Sequence, residues 1–183
     1  GSEIPFSQHK YPGWRIHREP VNVGNIGGQN VCFREAQSEW VLFVANDVRL
    51  LSDCIEKLWR TKELVEHYEK VGQIQPVLYK SNGLIDQAGM DWCWPGYGIS
   101  RRWSFLKPLL TERIQIVPST CYMMTKKLFM GIGGFDESLV SSHEDVDMGL
   151  RLTKVGYLNY VSAESEAIHL VNQTLKHTIK NPK

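Results

Sequence analysis

Net charge is what this sequence has least of: 21 Lys and Arg oppose 20 Asp and Glu, leaving +1 over 183 residues with histidines neutral. No global field draws the chain to nucleic acid or to an anionic membrane, so a nucleic-acid partner is not expected and any basic patch must be local. Cysteine is sparse as well. Cys32, Cys54, Cys93 and Cys121 form neither a CxxC pair nor a Cys/His cluster of zinc-site spacing, and they read as free thiols in a reducing compartment. No apolar run approaches the roughly 20 residues needed to cross a bilayer, and no basic stretch leads into an apolar signal core. A cytoplasmic location without a transmembrane segment is therefore the expectation. The motifs GxxxxGK[ST], GxSxG and HExxH are missing, which sets aside P-loop nucleotide hydrolysis, the nucleophile-elbow hydrolases and the zinc proteases.

What the chain does have is core material: 42% hydrophobic residues against 22% charged ones, over a length that suits one domain, residues 1–183. Short apolar runs alternate with helical periodicity, the pattern of an α/β layered domain. Trp40 to Ala45 is a continuous run of β-formers and predicts a strand buried on both faces. Leu51, Ile55, Leu58, Trp59, Val65 and Tyr68 recur at helical spacing, with Asp53 and Glu56 as an approximate capping box and Gly72 as a stop. Further strands are predicted over Gln73–Tyr79, Ile114–Thr125 and Tyr157–Val161, and a helix over Glu144–Val155 closed by Gly156. Lys80 to Leu110, rich in Gly, Trp and Arg, reads as a long loop.

Three segments carry chemistry. In Phe43-Val44-Ala45-Asn46-Asp47-Val48-Arg49 a buried strand runs into a carboxylate. Ligands in open α/β sheets sit beyond the carboxyl ends of strands, so Asp47 is placed either to meet a metal or phosphate or to cap the helix that follows. In His143-Glu144-Asp145-Val146-Asp147 the acidic residues open a helix, where ionised carboxylates are stabilised; Glu144 and Asp145 are either catalytic or simple complements to the helix dipole. Asp147 and Arg151, at i,i+4 spacing, read as a surface ion pair. In Ala167-Ile168-His169-Leu170 a histidine leaves an apolar stretch, as a structural residue or as a ligand.

Taken together and in this order, the segments resemble the inverting family-two glycosyltransferases of the GT-A nucleotide-diphospho-sugar fold, from about Trp14 to Gln173. Pro20 to Asn30 resembles the family's N-x-G-x-x-x-x-x-N turn and helix. Trp40 to Asp47 resembles its strand ending in the acidic metal motif, Pro118 to Glu137 its strand, helix and GGFDE turn, and His143 to Tyr157 its E-D-x-D-x-x-x-R-x-x-x-x-G-Y stretch. The resemblance implies a layered α/β domain with a central, mostly parallel sheet flanked by helices. It also implies transfer of a sugar, with inversion, from a nucleotide-diphospho-sugar donor to a hydroxyl of a saccharide, lipid-linked or protein acceptor.

Roles follow residue by residue from the resemblance. Asp47 would hold Mg²⁺ or Mn²⁺ on the donor diphosphate, with His169 as a further metal or diphosphate contact. Asp145 would be the general base and Glu144 would orient the acceptor. Asn22, Gly24 and Asn30 fall on the family's donor-side turn and helix. Where the family usually has two acidic residues this chain has Asn46-Asp47-Val48-Arg49, so Asp47 alone supplies charge and Arg49 is a candidate to neutralise diphosphate. Trp92, Trp94, Arg101 and Arg102 lie where the family places acceptor contacts, although aromatics on such a loop also serve to cover a core. Only residues 1–21 precede Asn22, fewer than the family's opening strands and base-binding loop require. The rival readings are a nucleotidyltransferase, which would carry a Gly-rich basic loop near its start, and an inactive relative serving as a carbohydrate- or nucleotide-binding module.

Overall fold

The computed structural model describes residues 13–93, 97–100, 107–139 and 143–170. In chain order the elements are α1 (Gly24–Glu35), β1 (Trp40–Val44), β2 (Val48–Leu50), α2 (Cys54–Glu66), β3 (Val71–Lys80), β4 (Ile85–Gln87), β5 (Met90–Cys93), β6 (Tyr97–Ser100), β7 (Glu112–Ile114), β8 (Cys121–Thr125), α3 (Lys126–Gly131), a 3-10 turn (Glu137–Leu139), α4 (Glu144–Lys154) and β9 (Leu158–His169).

A seven-stranded sheet runs in the order β1-β8-β3-β9-β2, with β4 alongside β3 and β7 alongside β9; β5 and β6 form a separate hairpin. The sheet is mixed where a mostly parallel one was expected. β3 and β9 pair in parallel, whereas β8 lies antiparallel to both β1 and β3, and β2 and β7 lie antiparallel to β9. The reason is the route of the chain. After β3 it passes through β4, the β5–β6 hairpin and β7, and β8 begins beside the end of β1, where Thr120 O accepts from Ala45 N at 2.9 Å. A strand that starts at the edge where its neighbours end must run against them, and it needs no long crossover. β1, β3 and β9 therefore all point the same way and end at one edge.

The core lies in two layers. α1, α3 and α4 cover one face through Ile26, Phe33, Phe129 and Met148, with Phe33 and Phe129 stacked at 3.9 Å between ring centroids. α2 covers the other through Cys54, Leu58 and Val65. β1 is uniformly apolar because it feeds both layers, Val41 and Phe43 one and Trp40, Leu42 and Val44 the other. Its residues are only half-buried, since among the described residues it is paired on one side alone.

Several local expectations shift. α2 ends at Glu66, and Gly72 belongs to β3, where a Cβ would meet Asn159 Oδ1 at 2.5 Å. Asp53 precedes α2 without a side-chain cap bond and pairs with Lys57 at 2.7 Å. The expected strand over 114–125 is two strands, β7 and β8, and the apparent loop after Tyr79 contains β4, β5 and β6. Pro76 sits in the central strand β3, where it cannot donate to a ladder; β9 answers with a register shift there, pairing Ser162 with Pro76 and Glu166 with Val77. All four cysteines are unpaired.

Candidate functional site

The shared edge collects the charged residues. Asp47 lies in the turn between β1 and β2 and its carbonyl accepts from Leu170 N at 2.7 Å, which ties the turn to the end of β9. Val48 is in register with His169, the last residue of β9. The His169 ring sits between two carboxylates, Nε2 at 3.3 Å from Asp47 Oδ2 and Nδ1 at 2.6 Å from Asp86 Oδ2. Two of the residues that the sequence nominated are thus brought together, and Asp86 is one that sequence reasoning missed. A signal for it existed. Asn82-Gly83 is a strong hairpin turn, closed here by Gly83 N to Lys80 O at 2.9 Å and Lys80 N to Leu84 O at 2.8 Å. Reading it as a hairpin would have folded Ile85–Gln87 onto β3 and carried Asp86 to that strand's end.

The donor set suits a hard divalent ion. Two ligands cis on an octahedral ion at about 2.1 Å stand about 3.0 Å apart, close to the observed Asp47–His169 separation. Among the described residues no group of three or more His, Cys, Asp or Glu side chains is arranged to hold a metal. A Mg²⁺- or Mn²⁺-type ion can be held by one or two protein groups with other oxygens filling its shell, so Asp47 and His169 could hold one.

The start of α4 is attached to the same edge. Ser119 Oγ donates to Glu144 Oε1 at 2.6 Å, and the adjacent Thr120 carbonyl accepts from Ala45, two residues before Asp47. Glu144 is only 7% exposed, so it braces the helix start and presents little surface to a substrate. Asp145 is part-buried, with Val146 N donating to its Oδ1 at 2.8 Å. Burial first, and the neighbouring Glu144 charge second, push the Asp145 carboxyl up to about 6. The helix start was expected to favour the ionised form; desolvation and like charge outweigh the stabilising backbone donors, so the group titrates higher while staying ionised at neutral pH. His143, immediately before α4, has a positive φ of 71°.

Other nominated residues have structural work. Asn22 Oδ1 accepts from Gly24 N at 3.0 Å, and Gly24 enters α1 at φ +71°. Asn30 accepts from Phe135 N at 2.9 Å and donates to Phe135 O at 3.0 Å and Glu137 Oε1 at 2.8 Å, so its amide is taken up by the turn that leads to α4. Arg151 pairs with Asp147 at 2.5 Å as its spacing suggested, and its guanidinium also donates to the carbonyls of Ile132 and Gly134 at 2.8 Å each. That pair therefore pins the double-glycine turn and is more than a surface contact. Arg49 is exposed on β2, one residue out of phase with Val48 and Leu50. Trp92 is exposed on β5, its backbone N donating to Gln115 Oε1 at 2.6 Å. Trp94, Arg101 and Arg102 lie outside the described residues.

Residues 5–132 match the family model described as Glycosyl transferase family 2, well over half of the chain. The chain belongs to glycosyl transferase family 2. Within that family it is 38% identical over 183 residues to the N-acetylglucosaminyl-diphospho-decaprenol L-rhamnosyltransferase of Mycobacterium tuberculosis, the alignment covering 91% of this chain and 57% of the relative. It is 26% identical over 161 residues to the O-antigen biosynthesis protein RfbC of Myxococcus xanthus, covering 82% of this chain and 12% of that protein. The chain thus spans little more than half of the rhamnosyltransferase and a small part of RfbC. The fold is shared with GalNAc-T7, whose crystal structure was determined with UDP, GalNAc and Mn²⁺: TM-score 0.66 at 11% identity, over 84% of this chain and 32% of that one. The family-two match covers Asp47 and Asp86 and stops before α4 and β9, so the Asp145 and His169 ends of the site rest on the geometry above.

Proposed function

We propose that this chain carries out sugar transfer from a nucleotide-diphospho-sugar donor to an acceptor hydroxyl, with inversion, at the edge where β1, β3 and β9 end. The observation that carries the reading is Asp145: a carboxylate raised to about 6 at the start of a helix braced against the strand end that bears Asp47. Such a group is ionised at neutral pH yet basic enough to take the proton of an attacking hydroxyl. Glu144 contributes by raising that basicity and by anchoring α4 through Ser119. Asp47 and His169 would hold a Mg²⁺ or Mn²⁺ ion, which when bound supplies Lewis-acid stabilisation of the departing nucleoside diphosphate. Attack by a hydroxyl activated on the face opposite the leaving group inverts the anomeric centre.

The mycobacterial relative suggests the substrates: a deoxyhexosyl donor of the rhamnosyl type and an acceptor whose sugar is linked through diphosphate to a lipid. No helix among the described residues is long and apolar enough to cross a membrane. The test is donor turnover on that class of acceptor by wild type and Asp145→Asn. Loss of about 10²- to 10⁴-fold in turnover with nucleotide affinity retained supports the assignment; undiminished turnover in the variant removes Asp145 from the chemistry. Nucleotide binding by a wild type that turns over no donor would favour the binding-module reading instead.

A further inference from the structure

The geometry points to a role for Asp86 that nothing about Asp47 or His169 alone requires: we propose that it is the positioning residue that holds the His169 imidazole with Nε2 presented beside Asp47 to an incoming divalent cation. The inference rests on the metal-assisted reading for the identity of what is bound, but the ring-holding role stands on the protein's own contacts.

His169 is the terminal residue of β9, where pairing with β2 and β3 ends, and a ring at a strand end is free to rotate unless something fixes it. Asp86 does so with a short hydrogen bond, Oδ2 to Nδ1 at 2.6 Å, as a carboxylate acceptor favours. The Nε2 contact to Asp47 is longer, 3.3 Å, the separation of two groups that can share an ion. The three side chains grade from Asp86 at 14% and His169 at 15% exposed to Asp47 at 23%, so the orienting carboxylate lies deeper than the one that would meet the ligand. Asp86 is itself held. Its neighbours Ile85 and Gln87 pair with Tyr79 and Leu78, which leaves Asp86 as the extra residue at an irregular step of the β3–β4 ladder, and the Asn82-Gly83 turn fixes the hairpin. Lys80 Nζ stands 3.8 Å from the other oxygen, Oδ1, and so leaves Oδ2 to the histidine. A histidine that binds metal through one nitrogen commonly donates its other N–H to a carboxylate, which fixes the tautomer and the ring plane.

Two variants separate this role from direct ligation. Asp86→Asn keeps an oxygen that accepts from Nδ1–H; Asp86→Ala has none. In metal-free protein labelled with ¹⁵N-histidine, the expected result is a slowly exchanging His169 Nδ1 proton in wild type and Asp86→Asn and its loss in Asp86→Ala. Its absence from wild type overturns the positioning role whatever the metal does. With Mn²⁺ alone as probe, electron paramagnetic resonance should show a coordinated-nitrogen coupling in wild type that His169→Ala removes. Asp86→Ala should weaken Mn²⁺ affinity about 10- to 100-fold with loss of that coupling, and Asp86→Asn should retain most of both. Equal losses in Asp86→Asn and Asp86→Ala would make Asp86 a ligand and overturn the proposal, as would full retention in Asp86→Ala. A wild type that holds the Nδ1 proton but binds no Mn²⁺ would contradict the metal-assisted reading and the presentation of Nε2 to a cation with it, leaving transfer by Asp145 untouched.

Discussion

Replacing Asp145 by Asn should make the protein more stable and less active, by amounts the structure sets. The Asp145 carboxyl rises from its ordinary 3.8 to about 6 in the folded chain. At 1.36 kcal/mol per pKa unit, holding it charged costs the fold about 3 kcal/mol at neutral pH. Because the site is only part-buried, about 1 to 3 kcal/mol is the expected range. The sign follows from proton counts: between about pH 4 and 6 the folded state keeps a proton that the unfolded state has lost, so stability falls as pH rises through that window and levels off above it. Asn cannot ionise and its side-chain oxygen can still accept from Val146 N. Urea denaturation followed by tryptophan fluorescence at pH 4, 5, 6 and 7.5 should therefore show Asp145→Asn more stable at pH 7.5, with the gap closing toward pH 4. A gap that is the same at every pH, or no gap at pH 7.5, refutes the claim that burial and Glu144 load this carboxylate.

Wild-type turnover at saturating donor should rise with pH through about 6 and then level, since the base must be ionised; a profile flat from pH 5 to 8 would contradict the assignment. Asn30→Ala should destabilise the chain by about 2–3 kcal/mol in thermal or urea unfolding, because it strips partners from Phe135 N, Phe135 O and Glu137 at once; a change under about 0.5 kcal/mol would show that the turn does not depend on it. Gly149→Ala gains up to about 1 kcal/mol of helix propensity but puts a Cβ 2.8 Å from the Gln115 carbonyl, so net destabilisation of about 1–3 kcal/mol is expected in the same assay, and a stabilised variant would mean that α4 is free to shift.

Much of the layout was readable because it is written in local patterns. Trp40 to Val44 reads as a strand from its unbroken β-formers, and α4 from an acidic start and the Gly156 stop, found within a residue of where they were expected. The place of Asp47 just beyond β1 was legible because the apolar run stops at Ala45. Strand direction was not legible: β8 is antiparallel because of where the chain re-enters, a long-range fact with no local signature. Asn30 and Arg151 matched family positions, but their partners, Phe135 and Ile132, are distant in sequence or on another element, and only the fold shows that their polar groups are spent on a turn. The Asp145 carboxyl was expected to be held ionised by the helix start; the opposing desolvation depends on packing and could not be read from residue types. Asp86 was hidden by treating Lys80 to Leu110 as loop, although Asn82-Gly83 marked the hairpin.

Whether Asp47 and His169 form the diphosphate-and-metal end of a sugar-transfer site is decided by calorimetric titration of wild type and Asp47→Ala with UDP, GDP, ADP and dTDP, each with and without Mn²⁺. Wild type should bind one of these nucleotides in a Mn²⁺-dependent way, and Asp47→Ala should lose the metal dependence. Nucleotide binding that is indifferent both to Mn²⁺ and to the substitution would contradict that assignment.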